Sequence, residues 1–161
     1  MIKKSILAGG CFWGMEDLIR KVDGVLNTTV GYCGGQMDNP TYLEVKTGTT
    51  NHAEAIEIEY DDSTLSYADL LRFFFKIHDP TTIDRQGNDR GTQYRSAIFI
   101  INDEERKVAQ EIIAEVDNSG KWGAPIVTKI EELKKFYPAE EYHQDYLEKN
   151  PGGYTCHWIR K

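Results

Sequence analysis

The chain has 161 residues, with 19 Lys and Arg against 26 Asp and Glu, a formal net charge of −7. That length suits one domain, residues 1–161, with a real core, and the acidic balance argues against a nucleic-acid partner, which needs a basic footprint. No apolar run nears the roughly 18 residues of a membrane span, and three unevenly spaced cysteines do not make a secreted disulfide scaffold.

Residues 3–8 are expected to form a short strand. Lys3 and Lys4 ahead of an apolar stretch ending at Cys11 have the outline of a lipoprotein signal. The stretch is too short for the core that such a signal requires, so a reducing cytoplasmic location is expected. Gly9 and Gly10 make a tight turn, and Phe12, Met15, Leu18, Ile19 and Val22 then fall at helical spacing up to Gly24. Residues 25–32 read as extended and enter a long glycine-rich loop that reaches His52. Residues 53–60 alternate, with Ile56, Ile58 and Tyr60 on one face and Glu57 and Glu59 on the other. Ser66 with Asp69 three residues on starts a helix that Asp79-Pro80 stops. A polar loop over residues 81–93, a strand over 96–101 and a helix from Asp103 to Gly120 follow. Ile126, Thr128 and Ile130 alternate as a further strand. A polar-aromatic helix from about Ala139 and an irregular tail end the chain. The first six elements give an α+β, two-layer ferredoxin-like plait, β-α-β-β-α-β, extended by the helix, strand and tail. Long loops in so small a domain are usually functional.

Cys11 stands at the strand-to-helix turn, where unsatisfied backbone N–H groups and the positive end of the helix dipole favour thiolate. Its pKa is therefore expected to fall; the alternative is an inert buried cysteine. Phe12 lies on the apolar stripe of the helix. Trp13 lies off it, as a pocket wall or as core. The four histidines, His52, His78, His143 and His157, have no metal-ligand spacing. His143 and Asp145 are expected to orient neighbours rather than ligate. A cysteine acyl-transfer scheme would pair Cys11 with His143, but the Cys-Gly-Ser/Ala-Cys-Trp/Tyr run of papain-type enzymes is absent. A plain binding module would leave these motifs without a purpose.

Gly9-Gly10-Cys11-Phe12-Trp13-Gly14 resembles the signature of the A-type peptide methionine sulfoxide reductases. Further blocks match that family in the same order. They include Gly31-Tyr32-Cys33-Gly34-Gly35, Pro40-Thr41-Tyr42-Leu43-Glu44-Val45 and Gly48-Thr49-Thr50-Asn51-His52-Ala53-Glu54-Ala55. The stretch from Arg85 to Ser96, Glu140-Glu141-Tyr142-His143-Gln144-Asp145-Tyr146 and Asn150-Pro151-Gly152-Gly153-Tyr154-Thr155-Cys156 complete the set. The resemblance implies that Cys11 is the nucleophile, that Phe12 and Trp13 receive the sulfoxide methyl and that Glu54 donates the proton. It implies that Tyr42 and Tyr94 hold the sulfoxide oxygen, that Asp89 supplies a polar loop group and that Cys156 resolves the sulfenic acid. It further implies reduction of methionine-(S)-sulfoxide, free or in proteins, with no prosthetic cofactor or metal; the acidic surface and the lack of any extra interface element lean to a monomer. Thioredoxin is the implied recycling partner, with dithiothreitol as a substitute in vitro.

The residues themselves add two points. Glu54 shares strand parity with Ile56, Ile58 and Tyr60, so burial there would keep it protonated near neutrality, whereas a strand-end surface position would not. Gly152 and Gly153 ahead of Cys156 suit a tail that swings. Cys33 departs from the family pattern, as a competing thiol or as a tolerated small residue.

Overall fold

Apolar side chains two apart along a chain favour a strand with one buried face, and those three and four apart favour a helix with one buried stripe. The computed structural model, which describes residues 1–160, contains both. In chain order the elements are β1 (Ile2–Gly9), α1 (Phe12–Ile19), β2 (Val25–Cys33), α2 (Tyr42–Lys46), β3 (Ala53–Asp61) and α3 (Tyr67–Ile77). There follow β4 (Arg85–Gln86), β5 (Asp89–Arg90), a 3₁₀ turn (Thr92–Tyr94), β6 (Ser96–Ile100), α4 (Asp103–Asn118) and β7 (Lys129–Glu132). The chain closes with β8 (Phe136–Pro138), a second 3₁₀ turn (Glu141–His143) and α5 (Tyr146–Lys149).

One sheet runs β7-β6-β1-β3-β2-β8. Its inner four strands are antiparallel and ordered as in the ferredoxin-like plait. β7 adds in parallel to β6, and β8 adds antiparallel to β2. One face of the sheet carries Leu7, Val30, Ile56, Ile58 and Ile98, packed under Phe12, Met15 and Ile19 of α1, Leu70 and Phe74 of α3, and Ile112 of α4. Each fully buried aliphatic there contributes about 1.5–3 kcal/mol. The other face is lined by the smaller Ala8, Cys33, Ala55 and Ala97, with Phe99, Leu133 and Phe136. The cap of α3 is as its sequence suggests, with Ser66 Oγ accepting from Asp69 N at 3.0 Å.

Several elements depart from expectation. The glycine-rich loop holds α2, a one-turn helix fixed by a capping box between Thr41 and Glu44. The polar loop after α3 holds the β4–β5 hairpin. The strand expected from Ile126 forms its ladder only from Lys129, because Val127 N is taken by Pro80 O at 2.8 Å. The helix expected from about Ala139 is instead a 3₁₀ turn and the short α5, with β8 just ahead of it. Ala139 N bonds to Val30 O at 2.9 Å, and Asp145 takes a left-handed conformation, φ 52°, which breaks the helical run. No helix of the described residues is long and apolar enough to cross a membrane.

Arg95 ties these parts to each other. Its guanidinium donates to Glu131 of β7 at 2.9 Å, to Asn51 O at 3.1 Å and to Thr92 O at 3.0 Å. The loops before β3 and before β6 are thereby held to one end of the sheet.

Candidate active site

β1 ends at a turn that demands glycine. Gly10 has φ +98°, and a Cβ there would lie 2.4 Å from Gln86 Cγ. The turn makes Cys11 the N-cap of α1. The first amide of that helix, Phe12 N, donates to Glu54 Oε1 at 3.1 Å. Glu54 reaches it because β3 parity points its side chain to the helix-covered face, where only 2% of the residue is exposed. Burial lifts its carboxyl to about 8, the charge of Asp89 adds to the rise, and the Phe12 amide opposes it.

The aromatic residues converge on the same place. Tyr42 opens α2, and its ring stacks 6.4 Å from both Phe12 and Trp13. Trp13 is half-buried; its indole lies 3.9 Å from the Tyr146 ring at an interplanar angle of 10°, and its Nε1–H donates to His143 Nδ1 at 2.9 Å. It therefore packs on the core while part of its surface stays exposed. Burial raises the phenol pKa of Tyr42 and of Tyr94, and the further charges acting on Tyr94 are those of Glu54, Asp89, Tyr42 and Cys11. Asp89, on β5, is raised by burial as well. Cys156 Sγ lies 3.9 Å from Asp89 Oδ2 and 3.8 Å from Gln86 O. All eight residues singled out from the sequence, Cys11, Phe12, Trp13, Tyr42, Glu54, Asp89, Tyr94 and Cys156, thus surround one site.

The Cys11 thiol contradicts the expected fall in pKa. Burial pushes it well above the ordinary thiol range, and the charges of Glu54, Asp89 and Cys156 push further. The Trp13 amide lowers it and does not win. A helix terminus is worth little against desolvation beside two carboxyl groups. Glu54 held neutral removes one of those opposing charges.

Cys33 points away. Tyr32 pairs with Glu54 and Cys33 with Ala53, so Cys33 lies on the opposite face of the sheet from Glu54. It is fully buried, and burial raises its thiol to about 12. Of the tail glycines, a Cβ on Gly152 would meet open space, whereas one on Gly153 would press on Leu147 and Tyr146.

Several supporting residues had no claim from periodicity. Glu140 accepts from Tyr32 Oη at 2.8 Å and from Tyr42 N at 3.0 Å. The Gln144 amide accepts from Val30 N and donates to Val30 O, both at 2.9 Å, and so continues the β8 pairing along β2. Glu16 of α1 accepts from Asp145 N at 2.7 Å and from Thr28 Oγ1 at 2.8 Å. His143 was expected to orient a neighbour, and that neighbour is Trp13. Each of these acts through long-range contacts that no local pattern encodes. Among the described residues no group of three His, Cys, Asp or Glu side chains is disposed to hold a metal ion.

The sequence profile of the peptide methionine sulfoxide reductases matches residues 3–161. The chain belongs to the peptide methionine sulfoxide reductase family. It is 58% identical over 158 residues to the peptide methionine sulfoxide reductase MsrA of Mycobacterium sp. strain MCS, a match covering 98% of this chain and 90% of that protein. The crystal structure of Mxr1 from Saccharomyces cerevisiae in reduced form superposes with a TM-score of 0.94 at 43% identity, covering 99% of this chain and 93% of that one. Mxr1 in complex with Trx2 superposes with a TM-score of 0.69 at 32% identity, covering 99% and 91%. This reductase, whose three cysteines are free, is thus closer in shape to the reduced form than to the complexed form of that relative.

Proposed function

We infer that the protein reduces the S epimer of methionine sulfoxide, free and in oxidised proteins, and that reduced thioredoxin recycles it. Residues 1–161 act as one reductase domain at work on protein repair in the cytoplasm, with residues 139–161 carrying the resolving thiol. The observation that carries this reading is Glu54, buried, neutral up to about pH 8 and bonded to the first amide of the helix that bears Cys11. A sulfoxide is a poor electrophile until its oxygen receives a proton or strong hydrogen bonds. Glu54 supplies the proton, and the phenols of Tyr42 and Tyr94 hold the oxygen. Phe12 and Trp13 receive the methyl group, so the shape of their pocket reads chirality at sulfur. Cys11 sulfur then attacks the substrate sulfur, the oxygen passes to Cys11 as sulfenic acid, and methionine leaves. Cys156 thiol displaces that oxygen as water and forms the Cys11–Cys156 disulfide, which an external dithiol reduces. Dithiothreitol attacks the sulfenic acid directly.

The test combines epimers with thiol counting. Reduced protein given the S-sulfoxide loses two thiols per chain and maps to a Cys11–Cys156 link; the R epimer consumes none. Cys156→Ser reduces one equivalent, stalls with thioredoxin and regains partial turnover with dithiothreitol. Equal consumption of both epimers would overturn the stereochemical reading. A Cys11–Cys33 link would overturn the role of Cys156.

A further inference from the structure

The tail around Cys156 makes one contact that the chemistry above does not use. His157, the next residue, is buried, although it lies among the last five residues of the chain. Its Nε2 is 2.7 Å from Gly9 O, at the end of β1 and two residues before Cys11. A carbonyl oxygen only accepts, so Nε2 carries the hydrogen and Nδ1 is left with a lone pair. Burial holds the ring neutral, with its pKa lowered to about 4, so this tautomer persists at neutral pH. Nδ1 lies 3.8 Å from Cys156 Sγ. The ring fits because two glycines leave room for it. A Cβ on Gly14 would lie 2.4 Å from His157 Nδ1 and from Thr155 Oγ1, and one on Gly10 would lie 3.3 Å from Nε2.

We propose that His157 is a positioning residue for the resolving step: its imidazole, seated against Gly10 and Gly14 and tied to the Gly9 carbonyl, docks the tail across the start of α1 so that Cys156 meets oxidised Cys11. This rests on Cys156 being the resolving thiol. In the step itself Cys156 S–H and Cys11 S–OH give the S–S bond and water, and His157 ends unchanged. Its contribution is to raise the local concentration of one thiol at the other.

The test separates two half-reactions in single turnover. His157→Ala leaves the release of one equivalent of methionine near the wild-type rate and slows loss of the second thiol about tenfold or more, with sulfenic acid trapped by dimedone in the interval. His157→Gln, whose amide NH₂ reaches the place of Nε2, recovers most of that rate. Gly14→Ala, whose added methyl meets His157 and Thr155 of the tail first, slows the same step, and the double variant is no slower than either alone. Disulfide formation at the wild-type rate in His157→Ala overturns the proposal, as does a Gln variant as slow as Ala. A Cys156→Ser control that still forms a disulfide marks a different failure, that of the resolver assignment beneath it.

Discussion

Cys11 and Cys156 present the same functional group on opposite kinds of scaffold. Cys11 is fixed by covalent continuity with a central strand and by a helix whose first amide is already bonded to Glu54. Cys156 follows the turn at Asn150–Gly153, in a segment without helix or strand, and is placed by His157 on Gly9 and by the β4–β5 hairpin. A thiol that must meet a substrate at a set angle benefits from rigidity. A thiol that must approach, bond and withdraw benefits from a seat it can leave. The segment from Glu140 to Tyr146 lies between these extremes, with little regular structure of its own yet bonded to α1, α2 and β2 by its side chains and backbone.

The contrast is broken first at its rigid end. Cys11→Ser should cut turnover by at least about a thousandfold, because Cys11 is the thiol on the helix amide bonded to Glu54, while the melting temperature stays near wild type. Residual turnover close to wild type would remove Cys11 from the mechanism. Glu54→Gln should slow methionine release about a hundredfold or more and leave the disulfide step alone. The pH dependence sharpens this case. Glu54 keeps its proton up to about 8, so the wild-type first step should decline as pH rises through that value, and the Gln variant should show no such decline. Matching profiles would assign the proton to another group.

Glu16 tests the link between the two regions. Burial raises its carboxyl to about 7, so the folded state holds a proton that the unfolded chain has already released. Stability should therefore fall as pH rises from the ordinary carboxylate value through about 7, by about 2 kcal/mol at the upper end. Glu16→Gln keeps an acceptor for Asp145 N and should flatten that slope in urea titrations at pH 5 and pH 8. Parallel slopes would show that Glu16 does not titrate within the fold. The smallest effect is expected at Trp13, where replacement by Ala removes the pocket wall and its stack on Tyr146. The apparent KM should rise about tenfold, with the disulfide step untouched. An unchanged KM would make Trp13 a core residue alone.

How much of this could be read from the sequence follows from the range of each interaction. The face that Glu54 takes was legible because strand parity is local, and one alternation, Ile56, Ile58 and Tyr60, carries it; its burial at the strand end is supplied by distant segments. The start of α3 was legible because Ser66 caps it within three residues. α2 had a local signal too, Thr41 with Glu44 three residues on, but five helical residues are too few for periodicity to register. β8 and the Gln144 pairing were not legible. Both depend on β2, more than a hundred residues away in the chain. The pKa of Cys11 was misjudged for the same reason. Its helix terminus is a local fact, whereas its burial is supplied by distant segments.

The pairing of Cys33 with Ala53 carries one more consequence. The sheet acts as an insulating wall between two compartments of sulfur chemistry. In the proposed scheme an oxidising substrate meets two thiols, Cys11 and Cys156, and an external dithiol restores both. The third sulfur sits behind the wall, wired to neither. Buried there, Cys33 is spared the stray crosslink that an exposed unpaired thiol would offer to a neighbour.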